Sequence, residues 1–337
     1  MSASPAPVLP ELGAVPPPRA ARARAAEALR ANPLLLAGGL LTVLVVLAAL
    51  LAPLLAPHPA DAGSATHPLA ALRPPSGAHP FGTDEVGRDL LTRVLYGARV
   101  SPLVAVLVLA IACAVGVPLG VAAGYFGGVI DEVIMRVTDV FLAFPALLLA
   151  LALAAMLRPS LGNATLAIAA TWWPWYARLL RGQAAAVAGT PYVESARALG
   201  VPHWRILLRH VLPNTVTPLI VQVSLDAGGV ILTASALSFL GLGAQDPSPD
   251  WGLLVSNGQP YFTTQWWLVT FPGLAILLTA MACNLLGDGL RDALDPHRAQ
   301  RPRNPYLPSG GQAVAMDQGL GASGRRTVRP EPPGDPG

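Results

Sequence analysis

The sequence predicts an all-α integral membrane protein with six transmembrane helices. Of its 337 residues, 53% are hydrophobic and only 12% are charged, and the mean hydropathy is +0.51. Several apolar runs, almost free of charge, approach or exceed the roughly 20 residues that an α-helix needs to cross about 30 Å of hydrocarbon. Polar or Pro/Gly-rich segments separate these runs. The predicted spans are residues 34–56, 101–124, 140–157, 164–180, 215–242 and 266–286.

The N-terminal segment has two parts. Residues 1–31 are rich in Pro, Ala and Arg and predict a disordered cytoplasmic tail. The uncharged run 34–56 predicts the first transmembrane helix. A secretory signal peptide is the alternative, but its charged region would be far too long and its apolar core exceeds the usual 7–15 residues or so. We therefore expect a retained helix.

Residues 57–99 predict an extracytoplasmic segment that ends in a short amphipathic helix. Leu90, Leu91, Val94 and Leu95 form a helical apolar stripe, which is typical of a helix at the membrane interface. Ser101-Pro102 then has the composition of a helix start. This divides the chain into a first helix with its extracytoplasmic segment, residues 32–99, and a five-helix core, residues 100–296.

The second span carries glycines at intervals of four residues: Gly116, Gly120 and Gly124. Such a stripe lets another helix approach closely. The partner helix can belong to the same chain or to a second subunit, and the sequence does not decide between them.

The remaining spans hold two unusual features. Residues 172–176 form an aromatic cluster, including Trp172 and Trp173, that either lines a pathway or packs at an interface. Asp226 lies within the fifth span, where a carboxylate is costly and usually faces a cavity or a partner. We expect it to face a pathway or a partner subunit, and a structural pairing with a helix backbone or an arginine is the alternative. Residues 297–337 predict a second disordered cytoplasmic tail.

Between the fourth and fifth spans, residues 189–214 predict a cytoplasmic pair of short helices. Thr190-Pro191 is a helix start, Gly200 ends the first helix, Pro202 begins the second and Pro213 closes it. An apolar face of the second helix is expected to hold the pair against the membrane helices: Trp204, Leu207, Leu208 and Val211.

The arginines predict the orientation. Placing both termini in the cytoplasm leaves most of them on the cytoplasmic side, as the positive-inside rule requires. We therefore expect a multi-pass plasma-membrane (inner-membrane) protein whose helical hairpin 189–214 faces the cytoplasm.

Composition also argues against several functions. The chain contains no lysine, so it has no P-loop of the Walker A type and is not expected to bind ATP itself. Cys113 and Cys283 lie in apolar runs, and the histidines show no spacing typical of metal ligands. We expect no metal, no catalytic residue and no nucleic-acid partner. An ion-coupled secondary transporter would show internal repeats and several intramembrane charges, which we do not detect.

Residues 189–214 resemble the EAA loop, the ATPase-docking segment of ABC importer permeases. The resemblance rests on Glu194-Ser195-Ala196, Gly200 and Leu212-Pro213. Ser195 replaces the usual Ala, and His210 replaces the Ile found in many members. The resemblance implies coupling to an ATPase through Glu194, Ser195, Ala196, Gly200, His210, Leu212 and Pro213.

Three further segments resemble the C-type permease subunit of dipeptide, oligopeptide and nickel ABC importers. They are GTDEVGRD at 82–89, ALSFLGLG with PSPDWG at 236–252, and FPG with NLLGDGLRDALDP at 271–296. The family-motif residues are Gly82, Thr83, Asp84, Gly87, Arg88, Asp89, Gly287, Asp288, Arg291 and Asp292.

This resemblance implies a type I importer fold and a set of partners. These are a B-type permease, two ABC ATPase subunits that bind ATP and Mg, an extracytoplasmic solute-binding protein and the lipid bilayer. Di- or oligopeptides are the expected cargo, with nickel or another small solute as alternatives.

Overall fold

The structure, a computed structural model, describes residues 33–294. The predicted tails 1–31 and 297–337 lie outside the described residues. Within residues 33–294 the chain is helical and contains no strand, only an isolated bridge between Thr83 and Asp89. The helices are α1 (Pro33–Leu55), α2 (Leu90–Phe126), α3 (Gly128–Leu142), α4 (Ala146–Met156), α5 (Leu161–Ala188), α6 (Pro191–Ala198), α7 (His203–Ile206), α8 (Leu212–Phe239), α9 (Trp251–Gly258) and α10 (Trp267–Leu294).

Four helical segments are long and apolar enough to cross a membrane, or five if the α3–α4 pair is counted as one span. They are α1, α2, the continuous segment from α7 through α8, and α10. Helix α5 has 28 residues, or about 42 Å, which is long enough to cross. Its polar residues keep it outside this set, so the predicted count of six is not reached by length and hydropathy alone.

The predicted interfacial helix and second span form one helix. Helix α2 runs without a break through Pro102, across the predicted boundary at residues 99 and 100. Asp89 begins it, because its carboxylate accepts a hydrogen bond from the backbone N–H of Thr92 at 2.8 Å. Gly97 lies within α2 and allows close packing against Trp251, because a Cβ at this position would overlap with the Trp251 side chain.

The predicted third span is broken. Helices α3 and α4 meet at a bend of 86° around residues 143–145. Pro145 explains the break, since the residue before a proline avoids helical geometry and proline itself cannot donate a hydrogen bond. The segment predicted as a polar connection, 127–139, is largely the amphipathic helix α3.

The glycine stripe of α2 faces α5 of the same chain. A Cβ at Gly116, Gly120 or Gly124 would overlap with the backbone carbonyl oxygens of Trp173, Ala177 and Arg181. The sequence left open whether the partner helix belongs to the same chain or to a second subunit. In the structure these glycines pack against a helix of the same chain. The glycines set the distance between the helices that form the centre of the bundle.

We therefore expect Gly120→Ala and Gly182→Ala to have opposite effects. The methyl group at position 120 would meet the α5 backbone and cost about 1–3 kcal/mol of stability. Gly182 lies on α5 with no atom within 4 Å of its Cβ position, so alanine there should stabilise the helix by about 0.5–1 kcal/mol. Thermal unfolding of the two purified variants in one detergent measures both, and equal shifts would contradict the packing argument.

Candidate functional site

The hairpin of residues 189–214 begins and turns as the sequence predicts. Thr190 is the N-cap of α6, and Pro191 is its first residue. Gly200 has φ +74°, a left-handed conformation that favours glycine. Its N–H donates to the Arg197 carbonyl at 3.0 Å, and the N–H of Val201 donates to the Ala196 carbonyl at 3.1 Å. These bonds close the end of α6 and reverse the chain into α7.

A cluster around Tyr125 fixes the hairpin to the end of α2. The Arg197 guanidinium lies 4.4 Å from the centre of the Tyr125 ring and donates to its hydroxyl at 3.3 Å. The same hydroxyl lies 2.8 Å from Nδ1 of His203, on the second arm of the hairpin. Both arms are therefore attached to one side chain of the bundle, in addition to their apolar contacts.

The sequence predicted that the second arm ends at Pro213, but the helix continues past this residue. Helix α7 continues through a π-helical turn, Leu207–Val211, directly into α8. In this turn the N–H of Leu212 donates to the carbonyl of Leu207, five residues earlier. The wider turn accommodates Pro213, which has no N–H to donate. The hydrogen bonds shift locally from a spacing of four residues to one of five, and the helix continues without a break. The hairpin is thereby continuous with a membrane helix.

The buried face of the second arm differs from the predicted one. Val211 is fully buried as predicted, and Ile206, which was not predicted, is fully buried as well. Both pack against the ends of α2 and α5, together with Val193 of α6. Leu207 is half-buried as expected, but Trp204 and Leu208 are each 60% exposed. The π-helical turn changes the angle between successive residues, which the prediction from a regular helix did not include.

The hairpin consequently presents apolar side chains to solvent. Leu199 at the turn is 84% exposed, and Tyr192, Trp204 and Leu208 are also exposed. The Arg205 guanidinium lies 5.4 Å from the centre of the Trp204 ring. An exposed apolar group with adjacent cations is typical of a protein-binding surface.

The predicted coupling residues occupy different places in this hairpin. Glu194 is exposed and makes no side-chain hydrogen bond or ion pair with any residue in 33–294. The charged residue that contacts the bundle is Arg197. The Ser195 hydroxyl donates to the Pro191 carbonyl at 2.8 Å, and Ala196 packs against the buried cluster. The His210 ring lies 5.9 Å from that of Tyr192, and Leu212 is half-buried.

Ion pairs connect α3 with α5 near the same end of the bundle. The guanidinium of Arg181 contacts both oxygens of Asp131, at 2.5 and 2.7 Å, and Arg178 pairs with Asp139.

The opposite end of the bundle contains a buried ionic network, formed by Asp84, Arg88 and Arg93. The Asp84 carboxylate accepts from Arg88 Nε at 2.6 Å and from Arg93 Nη1 at 3.1 Å. Arg93 is fully buried and also donates to the Ser248 carbonyl at 3.0 Å. The network joins the loop before α2 to the segment before α9.

Burial affects the acidic groups of this region. It raises the pKa of the Asp84 carboxyl above its usual range, and the adjacent Arg88 guanidinium opposes this shift. Burial likewise raises the pKa of Glu85, and the negative charge of Asp84 adds to the effect. Both carboxyl groups bind a proton more readily than they would in water.

The other residues of the GTDEVGRD motif have structural positions. Gly82 and Gly87 have φ of +78° and +87°, and a Cβ on either would overlap with backbone atoms. The buried Thr83 hydroxyl donates to the Ala70 carbonyl at 2.5 Å, and Asp89 caps α2. The motif therefore forms the polar loop that leads into the beginning of α2.

The C-terminal motif lies on α10, beside α1 and α8. Gly287 packs against the backbone of Leu225, and Asp288 and Arg291 are exposed. Asp292 is half-buried.

Asp226 is paired, but not with the partners that the sequence suggested. The Tyr176 hydroxyl donates to its Oδ2 at 2.8 Å, and Gln222 Nε2 donates to its Oδ1 at 2.9 Å. Trp172 lies against Gly229 of α8, and the Trp173 ring lies 5.4 Å from that of Phe141. The two tryptophans pack between helices.

Taken together, these features define a membrane permease component: a bundle of apolar helices with a two-helix elbow at one end that is continuous with a membrane helix. The chain belongs to the family described as binding-protein-dependent transport system inner membrane component, whose model matches residues 116–300. Residues 22–75 match the N-terminal TM domain of oligopeptide transport permease C.

Individual relatives agree with this assignment. The chain is 48% identical over 289 residues to the Probable D,D-dipeptide transport system permease protein DdpC of Escherichia coli, covering 85% of this chain and 96% of the relative. It is 52% identical over 237 residues to the dipeptide transport system permease protein DppC of Escherichia coli, covering 68% and 79%. It is 42% identical over 268 residues to the protein of the same description from Alkalihalophilus pseudofirmus, covering 80% and 87%.

Proposed function

We propose that this chain is the C-type pore-forming subunit of an ATP-driven importer, with di- or oligopeptides as cargo. The observation that carries the proposal is the hairpin 189–214: a surface with exposed apolar side chains, continuous with α8. The descriptions of the relatives as dipeptide transport permeases support the choice of cargo. Nickel or another small solute is the alternative cargo for the same kind of complex.

The complex that this function requires includes subunits with other activities. A B-type permease forms the second half of the pore, two ABC ATPase subunits bind ATP and Mg, and an extracytoplasmic binding protein delivers the solute. This chain contributes no catalytic residue, and its sequence contains no lysine for a P-loop.

We propose a six-pass topology with both termini in the cytoplasm. Contacts at two ends of the bundle support it. The hairpin, the end of α2 and the α3–α5 ion pairs lie together, whereas the loop before α2 contacts the segment before α9. The bent α3–α4 pair supplies the fifth crossing, and helix α5, which hydropathy alone does not count, supplies the sixth. The arginine distribution places the hairpin end inside.

The geometry supports a lever mechanism. Closure of the ATPase subunits on ATP moves the docked hairpin, and the π-helical turn transmits that movement to α8 without a flexible joint. Two packed arrangements of the bundle are then selected by a small displacement at one end.

Cross-linking tests this proposal directly. In the reconstituted complex we expect Leu199→Cys, at the exposed turn, to form cross-links to an ATPase subunit. The matched control is Thr263→Cys. This exposed residue lies between α9 and α10, at the end of the bundle opposite the hairpin. Cross-links from residue 263 but not from 199, or labelling of residue 199 by an impermeant reagent added outside, would contradict the orientation and the coupling role.

Asp226 is proposed to face the translocation pathway while Tyr176 and Gln222 hold it. We expect Asp226→Asn to lower solute uptake while the amount of folded protein stays close to that of the wild type, since asparagine has nearly the same shape. Tyr176→Phe removes one hydrogen bond and keeps the charge, and should retain more uptake. Unaltered uptake by Asp226→Asn in proteoliposomes would assign the carboxylate a packing role only.

A further inference from the structure

Two histidines and one aspartate converge where the segment after α1 meets the beginning of α2. Nδ1 of His79 lies 2.9 Å from Oδ1 of Asp89, and Nδ1 of His58 lies 3.9 Å from the same oxygen. The two imidazole rings are stacked, with their centres 4.8 Å apart. One ligand atom from each of the three side chains lies within 4.8 Å of the other two.

The atoms that face this point are available for a ligand. Nδ1 of His58 is buried and has no hydrogen-bond partner within residues 33–294, and 3.9 Å is too long for a hydrogen bond to Asp89. Asp89 uses Oδ2 to cap α2, which leaves Oδ1 directed at both imidazoles. A buried polar nitrogen without a partner is rare in a folded protein and calls for an occupant.

We propose that His58, His79 and Asp89 bind a divalent transition metal ion, and that zinc fits the site best. Imidazole and carboxylate are zinc ligands, and three protein ligands with one open position form a common zinc site. The His58 side chain is 42% exposed, so solvent has access to the open position. Coordination would replace the hydrogen bond between His79 and Asp89 and bring His58 closer to Asp89.

Backbone and second-layer contacts hold the three ligands in place. The backbone N–H of His58 donates to the Thr92 hydroxyl at 3.3 Å, and that of His79 donates to the Ser76 hydroxyl at 3.2 Å. The backbone N–H of Asp89 donates to Asp61 at 2.9 Å. Such outer contacts orient metal ligands and sustain their affinity. A bound ion would therefore connect three chain segments at the beginning of α2, independently of the transport function proposed above.

Zinc titration of the full chain tests the proposal. The protein is purified in detergent through a tag that contains no histidine, and its zinc affinity is measured by competition with a chromophoric chelator. We expect one zinc ion per chain. In His58→Ala and in His79→Ala, which each remove a direct ligand, the zinc affinity should fall by at least about a hundredfold, the upper end of what loss of an outer-shell partner costs. The matched control is His67→Ala, which removes a histidine of the same segment that pairs with Asp61 instead of Asp89. Its zinc affinity should stay close to that of the wild type.

Two further measurements separate loss of the site from loss of the fold. Zinc should raise the melting temperature of the wild type and of His67→Ala but not that of His58→Ala. Cobalt bound to the wild type should show the intense visible absorption of a tetrahedral site with nitrogen and oxygen ligands. Absence of stoichiometric zinc binding by the wild type, or equal binding by the wild type and both histidine variants, would overturn the proposal.

Discussion

Replacing Gly200 by valine is expected to leave the protein inserted in the membrane and to lower transport by about tenfold or more. Gly200 has φ +74°, and a left-handed residue other than glycine costs roughly 1–2 kcal/mol, with more for a β-branched side chain. A change of 1.4 kcal/mol alters an equilibrium about tenfold. The strain would be relieved by opening the turn, which changes the angle between α6 and α7 and so the surface offered to the ATPase.

The matched variant is Gly200→Asn. No atom lies within 4 Å of the Cβ position, so a side chain there meets no steric obstacle within residues 33–294, and asparagine tolerates the left-handed conformation. We expect this variant to keep most of its transport activity. Uptake and ATP hydrolysis stimulated by the loaded binding protein are measured in proteoliposomes. Unchanged stimulation in Gly200→Val would show that the turn does not couple the two activities.

Hydropathy and capping residues were sufficient to predict much of the fold. The first span agrees with α1 to within a residue at each end, and the last begins one residue from α10. Thr190, Pro191 and Gly200 predicted the beginning and the turn of the hairpin because their effects are local. Local backbone preferences depend on a few neighbouring residues, so they can be predicted without knowledge of the rest of the chain.

Proline effects were harder to predict because their outcome depends on the surrounding helix. Pro102 lies within α2 without breaking it, Pro145 breaks the third span, and Pro213 is accommodated by a π-helical turn. The three residues have similar signals in the sequence. Which one interrupts a helix is decided by whether neighbouring groups can satisfy the carbonyl that proline leaves without a donor.

Contacts between distant segments could not be predicted at all. The sequence identified Asp84 and Arg88 as family-motif residues, but Arg93 and its contact with Ser248 depend on the packing of the loop before α9. The cluster of His58, His79 and Asp89 was likewise not found, because its members are separated by 21 and 10 residues and share no regular spacing. A single sequence contains no signal that would have brought these residues together.

Replacing Asp84 by asparagine is expected to lower the stability of the protein by about 3–5 kcal/mol, the cost of breaking a buried ion pair by removing one partner. The shape of the side chain is nearly conserved, so loss of packing contributes little. What remains is a pair of buried guanidinium groups, Arg88 and Arg93. Within residues 33–294 their remaining counter-charges are the exposed Asp246, 3.5 and 3.9 Å away, and Glu85, 3.6 Å from Arg88. The same substitution in the more exposed Asp131–Arg181 pair serves as the control and should cost less than about 1 kcal/mol.

The double variant Asp84→Asn/Arg93→Met separates charge from shape. If the destabilisation arises from uncompensated positive charge, removing one guanidinium should recover part of the stability that Asp84→Asn loses, and the two effects should not add. Thermal unfolding is followed by the fraction that remains monodisperse in size-exclusion chromatography. It is measured for the wild type, the single variants Asp84→Asn, Arg93→Met and Asp131→Asn, and the double variant. Equal losses for Asp84→Asn and Asp131→Asn would show that water reaches the network, and that the beginning of α2 is held by its cap and its apolar contacts instead of by buried charge.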